Sequence, residues 1–470
     1  MTQKNSRIAI IGAGVSGIFT ALELKKRGYT HITLFEKNER ITSLTSTLAY
    51  DNHQFDLSTK LIPAVGLTHD GVFPPLLELV QATGVTLQGT PMPTFYNFTH
   101  HKRMAIPRPM HQYSKLKIIR DFAKAHSLLA QLSAYSSLAE IYRTDLVRAE
   151  ESIAAWAARH RVEAFGQFTD YLVDLFSMGP AHLVPAGFVL VSRVHFVAPY
   201  LLDILSRKGV KHFYKLFGSK QNPGLRKFLK FRKKSTNYFV VKEGYEEFFR
   251  RLVLRYELNV ACKSAVSNLR RDAGELRFTV NGVQEVACDK LIFCCPPPAI
   301  AGLSYLPEAK RLAADVVPAR TVRSWAFKVQ GWNTRDFGTS GYVIDGTNEL
   351  GLGTEAMKIN GELMYVSKET AQSDLLISPV YLDDATSEAA RLAALQTSLV
   401  RFNMDLKEVV TYQDFTWPHF SSLALNQAGW NEAFERLQGQ DNIFYSGECF
   451  SGIGVPTILE FSSKFADKYF

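Results

Sequence analysis

The residues best suited to chemistry stand near the start of the chain. Gly12-Ala13-Gly14-Val15-Ser16-Gly17 follows a short apolar run, Ile8 to Ile11, and opens a stretch of helical spacing that stops at Gly28. His31-Ile32-Thr33-Leu34-Phe35-Glu36 then reads as a second strand, with its terminal acid nineteen residues past Gly17. Strand, glycine turn, helix, strand and acid in this order are the spacing of a dinucleotide site. The glycines let the turn tighten and let a pyrophosphate approach backbone N–H groups at the positive end of a helix. Glu36 can accept both ribose hydroxyls, and its charge repels a 2′-phosphate. A glycine-rich turn without a ligand would not need that whole context.

Other chemistries find less support. The five cysteines, Cys262, Cys288, Cys294, Cys295 and Cys449, have no zinc spacing and form no disulfide framework, so no metal is expected. Cys294 and Cys295 are vicinal and flanked by apolar residues, which reads as core strand rather than redox centre. Ser446 and Ser451 lack the neighbours of a nucleophile. The cysteine usage suggests a reduced, cytoplasmic protein. Leu183 to Leu205 is the one long apolar window, but Arg193, His195, Asp203 and two prolines argue against a spanning helix.

The opposite end of the chain decides between NAD and FAD. Phe444-Tyr445-Ser446-Gly447-Glu448, then Gly452, Gly454 and a helix expected from Thr457 to Tyr469, resembles the second flavin motif of the flavin amine oxidase superfamily. Leu291-Ile292-Phe293-Cys294-Cys295-Pro296-Pro297 resembles that superfamily's strand running into a proline turn. The likeness narrows at Asp414 to Ser422, Ala428-Gly429-Trp430 and Asn442 to Phe470, which look like the FAD-dependent polyunsaturated fatty acid double-bond isomerases. Weaker likeness runs through 7–110, Gly179 to Val189 and Glu243 to Phe249.

That resemblance implies FAD as cofactor. Its implied contacts are Gly12 through Gly17, Glu36, Lys37, Ser43, Leu61, Val260, Cys295, Gly447, Glu448, Pro456, Thr457 and Ile458. It also implies a redox-neutral hydride shuttle, in which a hydride leaves an allylic methylene of an unsaturated lipid and returns at another carbon. Three residues become catalytic candidates. Lys60 would stabilise reduced flavin or else point to solvent. Phe176 would line the pocket or pack as core. His419 would act as acid or base or stand as a structural histidine. Two departures stand out. Ile41-Thr42-Ser43-Leu44 occupies the place of the family's Gly-Gly pair, so hydroxyls must replace backbone contacts or flavin binds poorly. Phe95 stands where the linoleate enzymes clamp a carboxylate with arginine.

The elements that must position these groups follow from the pattern. The fold class expected is α/β: a split Rossmann-like FAD-binding domain with an inserted mixed α/β substrate domain and a helical region. The flavin domain takes 1–65, 241–300 and 426–470. The substrate domain takes 66–110 and 301–425, and a helical access region takes 111–240. Within 258–295 the alternation suggests several antiparallel strands, with Val260 opening a small sheet.

The net charge of +9 is local. Residues 205–236 hold eleven Lys and Arg and no acid, and the rest of the chain sums to −2. Leu225, Phe228 and Leu229 fall on one helical face among these cations. An anionic membrane surface, an acidic acyl carrier protein and plain solvation are the three readings, and nucleic acid is not expected. A membrane partner would make the protein peripheral at an inner membrane face. Three functions compete: an isomerase of an unsaturated fatty-acyl lipid, a net oxidase or desaturase of a lipophilic or amine substrate, and a flavin-poor binding protein.

Overall fold

A computed structural model describes residues 4–470 apart from 43–44, 58–61, 64–73, 91–93, 98, 105–107, 133–134, 136, 150, 176–184, 192–237, 315–319, 339, 346–362, 364, 383–385, 418–428 and 453. Ile8–Ile11 is buried at every position, as a strand covered on both faces must be. It forms the centre of a five-stranded sheet with the order Asn259–Ala261, Ile32–Phe35, Ile8–Ile11, Lys290–Phe293, Ile443–Tyr445. Every pairing in this sheet is parallel. The expectation of antiparallel strands across 258–295 is therefore corrected at both ends. Asn259–Ala261 adds to the edge of the nucleotide sheet, Val260 in register with Leu34, and Lys290–Phe293 lies beside the first strand. Only the strands Val266–Asp272, Glu275–Val280 and Gln284–Cys288 between them form an antiparallel meander.

Between Ile8–Ile11 and Lys290–Phe293 the strand order changes direction. The first strand continues through helix Val15–Lys26 to Ile32–Phe35 on one side, while its other neighbour arrives from far along the chain. Such a switch opens a crevice at the carboxyl ends of the strands, where ligands of open α/β sheets bind. The first helix packs against the last, Val455–Tyr469. Arg27 joins them, meeting the Glu23 carboxylate and Asp467 at 2.7 Å each.

A seven-stranded sheet makes the second layer system, with Arg320–Gln330 lying near one end of it between Asp405–Trp417 and Leu375–Leu382. Helix Glu388–Arg401 covers one face, where Leu395 and Leu399 join the same apolar cluster as Trp325 and Phe327. The other face packs Ala326, Ile377 and Phe415 with Phe55 and Leu57. The helical region expected after residue 111 contains helices Lys115–Gln131, Leu138–Tyr142, Ile153–Arg159 and Glu163–Leu175. Among the described residues no helix is long and apolar enough to cross a membrane.

Candidate dinucleotide site

The turn after the first strand is built so that only glycine fits at two of its positions. Gly12 takes φ +104°, and a Cβ there would lie 2.8 Å from the Cys294 carbonyl oxygen. A Cβ on Gly17 would fall 2.0 Å from the Gly12 carbonyl oxygen, so the helix can approach the strand only because that atom is missing. Gly14 differs. It caps the first helix without any side-chain acceptor, and a Cβ there would meet nothing within 4 Å. The space in front of Gly14 and the uncapped helix end together form a cradle for an anion.

Glu36 closes one side of the cradle. It is 8% exposed, and its two oxygens accept the Ala13 N–H at 3.0 Å and the Asn38 N–H at 2.9 Å. An ionised carboxylate has about four lone-pair sites, so both oxygens can still accept ribose hydroxyls. Val260 stands half-buried on the neighbouring strand and Lys37 is exposed.

The other wall comes from the far end of the chain. Ser446 N–H continues the ladder by donating to the Phe293 carbonyl at 2.8 Å. Gly447 follows with φ +132°, and its Cβ position is 3.7 Å from Ser16 Oγ in the first helix. The carboxyl of Glu448 has no hydrogen-bond partner among the described residues, and burial raises its pKa to about 8. Burial likewise pushes the Cys294, Cys295 and Cys449 thiols up, which keeps them protonated and poor nucleophiles.

The last helix begins at Val455, two residues earlier than its pattern suggests. Pro456 falls in its first turn, where a missing N–H costs nothing. Gly454 caps it at φ +103° with no side-chain acceptor and no acid in the first turn. Thr457 Oγ1 is buried there with no partner, and Ile458 is buried beside it. The positive end of this helix is thus uncompensated.

These observations match the requirements of FAD. Open space before Gly14, two uncapped helix ends, a buried acid beside the turn and an orphaned hydroxyl on the last helix all ask for a polar, anionic, elongated ligand. The sites expected at Ser43, Lys60, Leu61, Phe176 and His419 and the basic stretch 205–236 lie outside the described residues. Phe95 is buried in the main core on strand Thr94–Asn97. Among the described residues no three His, Cys, Asp or Glu side chains gather as metal ligands. At one residue the sequence pointed to the position but not to its conformation. Thr42, 2% exposed, takes φ +50° and donates its N–H to the Ala13 carbonyl at 3.0 Å. The signal was the absence of glycine at that place.

Comparison with known proteins follows the same lines. Residues 10–72 match the NAD(P)-binding Rossmann-like domain family. The chain superposes over 100% of its length and 100% of the partner's on a CLA-producing fatty acid isomerase from P. acnes, with TM-score 0.75 and 16% identity. That likeness is one of fold, and it runs over the whole chain. A double mutant of putrescine oxidase superposes over 99% of both chains, with TM-score 0.65 and 14% identity. Curated relatives match over short stretches. Tryptophan 2-monooxygenase of Pantoea agglomerans pv. gypsophilae is 39% identical over 69 residues, 15% of this chain and 11% of that protein. Phytoene desaturase of Fusarium fujikuroi is 33% identical over 87 residues, 18% and 15% of the two chains. The chain therefore spans only a small part of these curated relatives' length. The glycine turn and Glu36 lie within the matched segment, residues 10–72.

Proposed function

We propose that the protein is an FAD-dependent oxidoreductase acting by hydride transfer on a hydrophobic unsaturated substrate, and specifically a double-bond isomerase of a fatty-acyl or similar lipid. The observation that carries the flavin assignment is the uncapped N-terminus of Val455–Tyr469 with its orphaned Thr457 hydroxyl. Bound FAD supplies a hydride acceptor that can also return the hydride.

The chain's own residues have separate tasks. Gly12 and Gly17 let the turn tighten and the helix close on the strand, Gly14 opens the backbone to the diphosphate, and Glu36 accepts from the ribose. Glu448 holds a proton near neutrality and can donate it in a hydrogen bond to the cofactor's polar chain. The positive end of the last helix favours added negative charge at whatever it faces, and it would stabilise a reduced flavin ring held there. The pairing of full-length superposition on a fatty acid isomerase with the resemblance at Asp414 to Ser422 and Asn442 to Phe470 supports isomerisation over net oxidation.

Purification in colour, followed by anaerobic incubation with linoleic acid, tests the reading. A bound flavin spectrum and a conjugated-diene absorbance that grows without oxygen support it. Product that appears only with stoichiometric oxygen uptake moves the protein to the oxidases. A colourless protein that cannot be loaded with FAD removes the flavin assignment itself.

A further inference from the structure

Thr42 is the one β-branched residue, and the one buried side chain, that takes a positive φ among the described residues. The left-handed region is a genuine outlier for such a residue, because its branched Cβ crowds the following carbonyl. The surrounding bonds enforce it. Thr42 N–H donates to the Ala13 carbonyl at 3.0 Å, and the Thr42 carbonyl accepts both the N–H of Thr45 at 2.7 Å and its Oγ1 at 3.0 Å. Despite that network, Thr42 Oγ1 is buried with no hydrogen-bond partner.

A strained backbone and an unpaired buried donor are both unfavourable in the empty protein, and strain of this kind gathers at ligand sites. Their location suggests the acceptor. Ala13, which Thr42 grips, is the residue between the two glycines of the turn, and Glu36 grips its N–H from the other side. We propose that Thr42 is a cofactor-positioning residue whose Oγ1 donates a hydrogen bond to a pyrophosphate or ribose oxygen of the bound dinucleotide, with the left-handed backbone aiming it. This rests on the dinucleotide reading above. It gives the chain a side-chain donor where the resemblance expects glycine backbone.

Titration of the apoprotein with FAD and with ADP, beside a thermal melt of the same apoprotein, tests the assignment. Thr42→Val keeps the shape and removes the hydroxyl. Its affinity for both ligands should fall about tenfold, the cost of one hydrogen bond to a charged acceptor. Its apo melting temperature should hold or rise, because the lost group had no partner. Thr42→Ser should restore binding to within about threefold of wild type. Thr42→Gly should melt higher, since its backbone is unstrained, while still binding weakly. Unchanged affinity of Thr42→Val for both ligands overturns the proposal. So does a lower apo melting temperature in Thr42→Val, which would make the hydroxyl structural. Failure of the wild type to bind either ligand is a different result and defeats the dinucleotide reading instead.

Discussion

Glu36 holds the Ala13 N–H at 3.0 Å across twenty-three residues of sequence. The acid that closes the second strand thus fixes the peptide that begins the glycine turn, before any ligand arrives. Ala13 is gripped at both ends, since its carbonyl takes the Thr42 N–H. The turn is preorganised by the residue that would read the ribose.

Replacing Glu36 should therefore harm both folding and binding. Glu36→Ala strips the Ala13 and Asn38 N–H groups of their acceptor, at a cost of about 1–3 kcal/mol for each that stays dry. It also removes the ribose acceptor. The expected result is a lower denaturation midpoint together with loss of stoichiometric flavin, read from the ratio of visible to ultraviolet absorbance. Full flavin occupancy in this variant would remove Glu36 from the site.

Gly17 and Gly14 should separate by mechanism. Gly17→Ala forces a Cβ to within 2.0 Å of a carbonyl oxygen, so the helix must move off the strand and the protein should lose about 1–3 kcal/mol. Gly14→Val has open space and an ordinary φ of −73°, so the apoprotein should melt as wild type does. Its side chain nevertheless fills the cradle, and flavin should be absent. A Gly14→Val protein that purifies yellow would mean the diphosphate lies elsewhere.

The turn was legible because glycine, apolar run and acid each carry a local constraint that no other residue satisfies. Three features were not. Asn259–Ala261 is too short for its period to separate a parallel edge strand from an antiparallel one. Val455-Pro456 looks like a stop, yet proline is at home in a first helical turn. Thr42 breaks its own propensity, so local preference argued against the conformation that tertiary bonds impose.

Glu448 should give the apoprotein a pH signature. Its carboxyl ordinarily titrates near 4.5 and burial raises it to about 8 in the fold. The native state therefore binds the extra proton between those values, and stability should fall as pH rises through that window and level off above it. Glu448→Gln should flatten this slope in a urea series run from pH 5 to 9. Flavin affinity should also weaken above about pH 8, by up to about tenfold per unit, if Glu448 donates to the cofactor as proposed, because the donor then becomes an anion. Parallel slopes in wild type and Glu448→Gln would show that the carboxyl titrates normally.

Arg323 offers a test of the second sheet that is independent of the flavin. Its side chain is 1% exposed, lies 3.7 Å from the Tyr412 ring centre and meets Asp414 at 2.7 Å and Glu388 at 2.5 Å. The two acids are far more open, at 57% for Glu388 and 38% for Asp414. This asymmetry decides which substitution hurts. Arg323→Met leaves acids that water can still reach and replaces a buried cation by an apolar chain beside Trp325, so its cost should be small. The pair Glu388→Gln with Asp414→Asn instead leaves a dry guanidinium without an anion, and should cost about 3–5 kcal/mol. Because Glu388 opens helix Glu388–Arg401, loosening should show first in amide exchange along that helix. Denaturant midpoints for the two variants, measured in the same salt, should differ with the double acid variant lower; the reverse order would mean that the arginine stabilises the sheet through its ring contacts rather than through its pairing with the acids.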